Sequence, residues 1–259
     1  MRHLFLLALF ILFSPHALVA AELVREGQAR VAGVRDGDTL TLDNGVVVRL
    51  VGIQAPKLPL GRKGFMPWPL ADEAHTALLE MTQGRTVQLG FGGARADRHR
   101  RTLAHLYRQP DGLWIQGEML RLGLARVYTF SDNRALAPEM LALEREARNA
   151  RRGIWAHDFY AVRHAENLAG KLDGLENSFQ LVQGKVLKFA KISDYMFLNF
   201  GADYKTDFTV VIDRKDWPRF AATAPEFYAG RTVNVRGWLE QWNGPMLRIS
   251  HPEQIEVLE

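Results

Sequence analysis

The 259-residue chain contains no cysteine. That absence excludes disulfides, structural thiolate zinc and thiol catalysis, and also a lipoprotein-type anchor, which needs a cysteine at the cleavage point. A run long enough to cross a bilayer is lacking too: the apolar stretch Leu4 to Phe13 covers ten residues, against about 20 for a spanning helix. Preceded by Arg2 and His3 and followed by Pro15 and the small-residue site Val19-Ala20-Ala21, this stretch reads instead as a secretory signal over residues 1–21. An uncleaved anchor is the competing reading. Cleavage leaves no membrane span and places the remaining chain in the periplasm or outside the cell.

Neither sign of charge dominates, with 33 Lys+Arg against 29 Asp+Glu, but the balance is uneven along the chain. Residues 22–170 hold 21 basic and 17 acidic side chains, whereas residues 171–259 hold 11 and 12. A polyanion is therefore expected to prefer the first part. The densest basic cluster is Arg95, Arg98, Arg100 and Arg101, with Arg108 following.

Periodicity and turn residues predict a mainly β fold with helices. Strands are expected at Gln28 to Val34, Thr39 to Leu42 and Val46 to Val51, the last two joined by the turn Asp43-Asn44-Gly45. Apolar spacing predicts a helix over 70–82, strands over 86–89 and 103–107, and helices near 115–122 and 135–151. For the last helix the expected stripe is Leu136, Met140, Leu143 and Ala147, with Asp132 or Asn133 as cap and Gly153 as terminator. Three strands, a helix and two strands is the order of a five-stranded Greek-key OB barrel. After a polar stretch the order recurs, with strands near 179–189, 195–200 and 207–212, a helical region over 217–228, and strands over 232–239 and 246–249. Gly84-Arg85-Thr86-Val87 and Gly230-Arg231-Thr232-Val233 follow the helix in each half. The expected organisation is a first barrel domain over 22–160, a linker over 161–177 and a second OB-like domain over 178–259.

Three separated motifs resemble those of the staphylococcal nuclease (thermonuclease) family. They are Asp36-Gly37-Asp38-Thr39, the run Arg49-Leu50-Val51-Gly52-Ile53-Gln54-Ala55-Pro56-Lys57, and Asp97-Arg98-His99-Arg100-Arg101-Thr102-Leu103-Ala104. The resemblance covers about residues 28–156, through Gly123-Leu124-Ala125 to Gly153-Ile154-Trp155, and implies an OB barrel with two added C-terminal helices. In the family the second motif reads Arg-Leu-x-x-x-Asp-x-Pro-Glu. Here Gln54 stands at the metal-binding Asp and Lys57 at the general-base Glu.

The resemblance assigns Arg49 and Arg101 to the phosphate and its transition state, a task suited to planar guanidinium groups. It assigns Asp38, position 54 and the Ala55 carbonyl to calcium. Calcium wants six to eight hard oxygens, so Gln54, with only a neutral amide oxygen, implies at most a weak site. An unperturbed lysine, with a pKa of about 10.4, holds its proton near neutral pH and accepts none from water. Lys57 therefore reads as a phosphate ligand standing at the base position. Asp38, Lys57, Arg49 and Arg101 together carry a formal +2, which favours phosphate over calcium. No Asp or Glu lies between Asp43 and Asp72 to slide into register.

Other residues near the motifs have structural readings. Asp36 is expected to hold its turn, Asp72 and Glu73 to stabilise a helix N-terminus, and His75, His99 and His105 to be solvated or hydrogen-bonded surface groups. In the insert Leu58 to Pro69, Arg62 and Lys63 suit phosphates, while Phe65 and Trp68 suit either base stacking or packing. In the second module Tyr195, Phe197, Phe200, Trp238 and Trp242 include candidate stacking residues, although its charge favours a protein partner or domain support over nucleic acid. Two functions follow as expectations. One is an exported phosphate- or nucleic-acid-binding protein with a degenerate catalytic site; the other is an active endonuclease using recruited acids or histidines.

Overall fold

A computed structural model describes residues 23–170, 172 and 174–258; the expected signal, residues 1–21, lies outside them. The first three strands form the expected meander, β1 (Val24–Asp36), β2 (Thr39–Leu42) and β3 (Val47–Leu50). Asn44 sets the β2–β3 turn by accepting the Val46 N–H at 3.1 Å through its side-chain oxygen. The chain continues through β4 (Ile53–Gln54), α1 (Ala71–Thr82), β5 (Thr86–Phe91) and β6 (Thr102–Arg108). β3 pairs parallel with β6, β6 antiparallel with β5, and β5 antiparallel with β1, closing a barrel in the expected order. Its interior is filled by Val31, Leu40, Val48, Leu50, Val87, Ala104 and Leu106, which alternate inward along their strands.

Three α-helices occur among the described residues. α1 buries Ala71, Ala74, Leu78 and Met81, one stripe at helical spacing. It is followed by α2 (Ile115–Arg121), β7 (Arg126–Val127) and α3 (Ala137–Asn149). The stripe of α3 differs from expectation: its buried residues are Ala137, Met140, Leu141, Glu144 and Ala147. Glu144 is buried because it receives charged and backbone partners that hydropathy cannot reveal. The expected caps are also replaced. Leu136, at φ 58°, occupies the cap position without a side-chain bond, while the Asn133 amide donates to the Ala94 carbonyl at 2.7 Å. The helix ends at Asn149, and Gly153 opens a short 3-10 turn instead.

The segment expected to be a linker packs as part of the C-terminal half. There β8 (Arg163–His164) pairs with β9 (Ser178–Lys185), and Ala165, Leu168 and Leu172 join the second core. β10 (Lys188–Ile192), β11 (Tyr195–Asn199), β12 (Thr209–Asp213), β13 (Thr232–Trp242), β14 (Gly244–Ile249) and β15 (Ile255–Leu258) complete a sheet ordered β10-β11-β12-β14-β13-β9-β8, with β15 also on β13. β9 and β10 are successive parts of one strand path: the Val186 N–H donates to Arg231 O at 2.9 Å and the Leu187 N–H to Asn199 O at 2.8 Å. The chain thus leaves β13 and joins β11 between adjacent residues. The first barrel's order repeats, with a parallel pair, β12 with β14, at the same place. The helical region expected over 217–228 is two 3-10 segments, Arg214–Phe220 and Pro225–Tyr228. Pro218 lies inside the first and Pro225 begins the second, and proline withholds the N–H that an α-helix requires.

A buried charge network joins the two halves. Arg236 of β13 lies 2.9 Å from Glu144 of α3 and also pairs with Glu256 of β15; the exposures of the first two side chains are 2% and 0%. Glu144 in turn accepts the Val127 N–H at 2.5 Å, and Arg236 donates to the Val127 carbonyl at 3.3 Å. Breaking such a pair strands a buried charge, at a cost of about 3–5 kcal/mol. The network fixes β7, and β7 leads directly into one wall of the cleft described next.

Candidate phosphate-binding cleft

The site begins with a close approach of backbone. A Cβ at Gly37 would meet the Cβ atoms of Ala55 and Ala74 at 2.7 Å each. Only glycine lets the Asp36-Gly37-Asp38 turn press against both the second motif and α1. A similar constraint holds at Gly52, where φ is 83° and a Cβ would meet Met140 Cε at 2.5 Å. These contacts place Asp38, Arg49, Ala55 and Lys57 around one buried point.

Asp38 is the centre of that point and has no exposed surface. Its Oδ2 receives the Ala55 N–H at 2.9 Å, lies 2.5 Å from the Lys57 ammonium and is 3.2 Å from Arg49 Nη2. Burial alone would raise its pKa; Arg49 and Lys57, aided by the Lys57 and Ala55 hydrogen bonds, outweigh that and hold it below the usual carboxylate range. Asp36, 3.4 Å from Lys57 Nζ, shifts the other way. Burial and the neighbouring Asp38 charge raise it despite the two cations.

The two expected phosphate arginines differ in what they leave free. Arg49 donates from Nη1 to the carbonyls of Leu50 at 2.6 Å and Asp38 at 3.4 Å, and from Nη2 to that of Ile53 at 2.7 Å. Its terminal nitrogens thus face the loop they brace, and among the described residues only Nε lacks a protein partner. Arg101 is tied by Asp97, whose carboxylate accepts the Arg101 N–H at 3.0 Å and Nε at 2.7 Å. Asp97 also receives the His99 N–H at 2.8 Å, and Arg100 takes φ 61° to close the loop. Burial opposes the Asp97 charge, but the Arg101 bonds lower its pKa. Arg101 keeps a side-chain exposure of 34%, and its Nη1 has no partner among the described residues.

Gln54 turns away from Asp38. Its Oε1 accepts from Arg126 Nε at 2.9 Å and Nη2 at 2.7 Å across the β4–β7 pair, which occupies both lone pairs of the amide oxygen. Burial lowers the Arg126 pKa to about 10. Phe179, Tyr160 and Trp68 surround its guanidinium at 4.7, 5.8 and 5.9 Å. Calcium, implied by the motif resemblance, does not fit these donors: Asp38 Oδ2 is already taken by an ammonium, Gln54 by a guanidinium, and the Ala55 residue is wholly buried. Among the described residues no group of three or more His, Asp or Glu side chains is placed to hold a metal.

The opening above is a cleft of about 820 Å³, lined by Arg49, Lys57, Arg62, Arg98 and Arg101 against Asp36, Asp97 and Asp132. Tyr128, Phe130 and Trp238 form its aromatic wall. Arg62 joins the cleft as expected of the insert, but Phe65 lies under its guanidinium at 3.6 Å, and Trp68 packs against Phe159 at 5.6 Å. Packing is therefore the role of Trp68. His99 lines the cleft, and His75 lies 3.3 Å from the Val34 carbonyl. His105, expected at the surface, is wholly buried, with its Nδ1 accepting the Trp114 indole N–H at 3.2 Å and its Nε2 without a partner among the described residues. Asp72 and Glu73 stay in the exposed first turn of α1. Sequence reasoning missed Arg126 as the partner of Gln54, and Tyr128 and Phe130 as cleft wall. The signal was the run of alternate residues directly after Gly123-Leu124-Ala125.

Residues 47–157 match the family profile of staphylococcal nuclease homologues. The chain is 35% identical over 109 residues to a probable staphylococcal-like nuclease of Oryza sativa subsp. japonica, covering 42% of this chain and 28% of the rice protein. It is 34% identical over 155 residues to the protein ParB of Escherichia coli, covering 56% of this chain and 81% of that protein. With an uncharacterized endonuclease of Escherichia coli O157:H7 it shares 30% identity over 159 residues, covering 60% and 91%. The match spans 61% of a similar Bacillus anthracis protein, so the rice and Bacillus relatives each extend well beyond the shared part.

Proposed function

Because the chain belongs to the staphylococcal nuclease homologue family, we propose that it is an exported protein whose cleft binds the phosphates of nucleic acid at a catalytic site that has lost its acidic pair. The observation that carries this reading is the 2.5 Å contact between Lys57 Nζ and Asp38 Oδ2. An ammonium there neutralises the buried carboxylate from within the chain. Three N–H donors radiate from Nζ; Asp38 and Asp36 accept two, and the third is available to an anion in the cleft. Arg101, aimed by Asp97, supplies a guanidinium edge, and Arg62 and Arg98 add long-range attraction. Arg49 acts by bracing the loop that presents Lys57. The two carboxylates in contact with Lys57, Asp36 and Asp38, are both engaged by its ammonium, which leaves neither of them free to act as the base.

The second reading, hydrolysis with recruited groups, is favoured by the placement of Asp36 and His99 in the cleft wall and by the endonuclease relative. The test of the first reading is equilibrium binding of a labelled oligonucleotide across a salt series. Arg101→Ala is expected to weaken binding about tenfold and to reduce the salt slope by about one. Salt-independent binding, or none, would sink the proposal. Export is tested separately by finding whether the N-terminus begins after Ala21 in a cell that expresses the gene.

A further inference from the structure

Trp238 belongs to the C-terminal sheet, on β13, yet it lines the cleft of the first barrel. Its indole N–H donates to the Tyr128 hydroxyl at 3.0 Å, which fixes the plane of the ring. Tyr128 is held edge-on against Phe130 and Phe179, at 4.9 Å each. Trp238 and Phe130 nevertheless remain 43% and 52% exposed. Such exposure leaves apolar surface in water beside rings held by a hydrogen bond and edge-on contacts. On the same cleft, five cationic side chains face three carboxylates.

A cationic floor beside ordered, exposed aromatic faces suits a chain of phosphates carrying unpaired bases. Base pairing hides those faces, so a duplex gains nothing from the aromatic wall. Resting on the phosphate-binding reading above, we infer that Trp238 is a stacking residue for an unpaired base, and that the C-terminal sheet thereby selects single-stranded nucleic acid for the cleft. The ligand must span both halves, with a phosphate near Lys57 and Arg101 and a base on the indole. A phosphate-only ligand or a mononucleotide too short for that span uses the floor alone. The Arg236 to Glu144 network, by fixing β13 against β7, holds the two parts of the site in register.

The test is anisotropy with the full chain and three probes of equal length: a single-stranded oligothymidylate, a duplex, and an abasic deoxyribose-phosphate chain. The wild type is expected to bind the oligothymidylate more tightly than the other two. Trp238→Ala should reduce the preference for thymidylate over the abasic chain by roughly 5- to 150-fold, the range for loss of one base–aromatic stack. Trp238→Phe, which keeps a π-face without the indole N–H, should retain most of that preference and controls for misfolding. Arg101→Ala should weaken all three probes together. An unchanged preference in Trp238→Ala, with Arg101→Ala still weakening binding, overturns the stacking role and leaves the phosphate reading standing. Binding of none of the probes overturns both, and so redirects the aromatic wall to a protein partner.

Discussion

The ammonium nitrogen of Lys57 and Oδ2 of Asp38, 2.5 Å apart, form an internal ion pair at the point where the motif resemblance implies a metal. Asp38 is wholly buried and Lys57 retains 21% of its side-chain exposure, so this pair is closer to a buried one than to a surface one. Its removal has consequences for both stability and metal response.

Lys57→Glu should destabilise the protein by about 3–5 kcal/mol in chelator, because a third carboxylate then faces Asp36 and Asp38 with Arg49 as the cation left beside them. The same variant should gain a thermal midpoint that rises with added calcium, since a cation bound only by the folded state stabilises it by mass action. Thermal unfolding with chelator and with calcium checks this. A midpoint that ignores calcium in the variant would mean that Gln54 and Arg126 alone prevent metal binding.

The partnership of Glu144 with Arg236 joins the two halves of the chain. Arg236→Met leaves Glu144 buried with Arg148 at 3.0 Å and the Val127 N–H, and a loss of about 3–5 kcal/mol is expected. Urea unfolding of Arg236→Met, Glu144→Gln and the double variant checks this through the coupling energy. Additive losses would show that the two groups stabilise the fold independently.

His105 sets a pH dependence of known sign. Burial lowers its pKa from 6.5 to about 4, so on acidification the unfolded chain takes up this proton before the folded one. Stability from this group is complete above pH 6.5 and declines as pH falls towards 4, by up to about 3 kcal/mol. Glu253, lowered to about 2 by its His251 and Arg134 hydrogen bonds despite burial, loses its contribution only below its ordinary pKa of 4.5. Chemical unfolding at pH 7.5 and 5 should therefore show a stability drop that His105→Gln largely removes. An equal drop in the variant would assign the acid sensitivity elsewhere.

Much of this architecture is legible in the chain itself. The alternation in β1 to β3 and the 71, 74, 78, 81 spacing of α1 each report a local periodicity, and local periodicity survives without tertiary information. Asp38, Arg49 and Lys57 were singled out by the motif resemblance, and the fold brings their side chains together at one buried point. The orientation of Arg49 was not legible: its inward bonds depend on where the Leu50 and Ile53 carbonyls lie after the chain turns at Gly52. Neither was the pairing of Gln54 with Arg126, residues 72 positions apart. The burial of Glu144, outside the expected apolar stripe, was not legible either, because its counter-ion Arg236 comes from β13. Trp238 carried a stacking signal, but only the packing of β13 against β7 gives it a place in the first barrel's cleft.

If Lys57 has replaced metal-assisted hydrolysis by phosphate binding, purified full chain incubated with single-stranded DNA, double-stranded DNA and RNA in calcium, in magnesium and in chelator should show no divalent-dependent cleavage, while oligonucleotide binding is the same with and without chelator. Calcium-dependent cleavage that Lys57→Ala or Arg101→Ala abolishes would instead establish a working phosphodiesterase in this cleft.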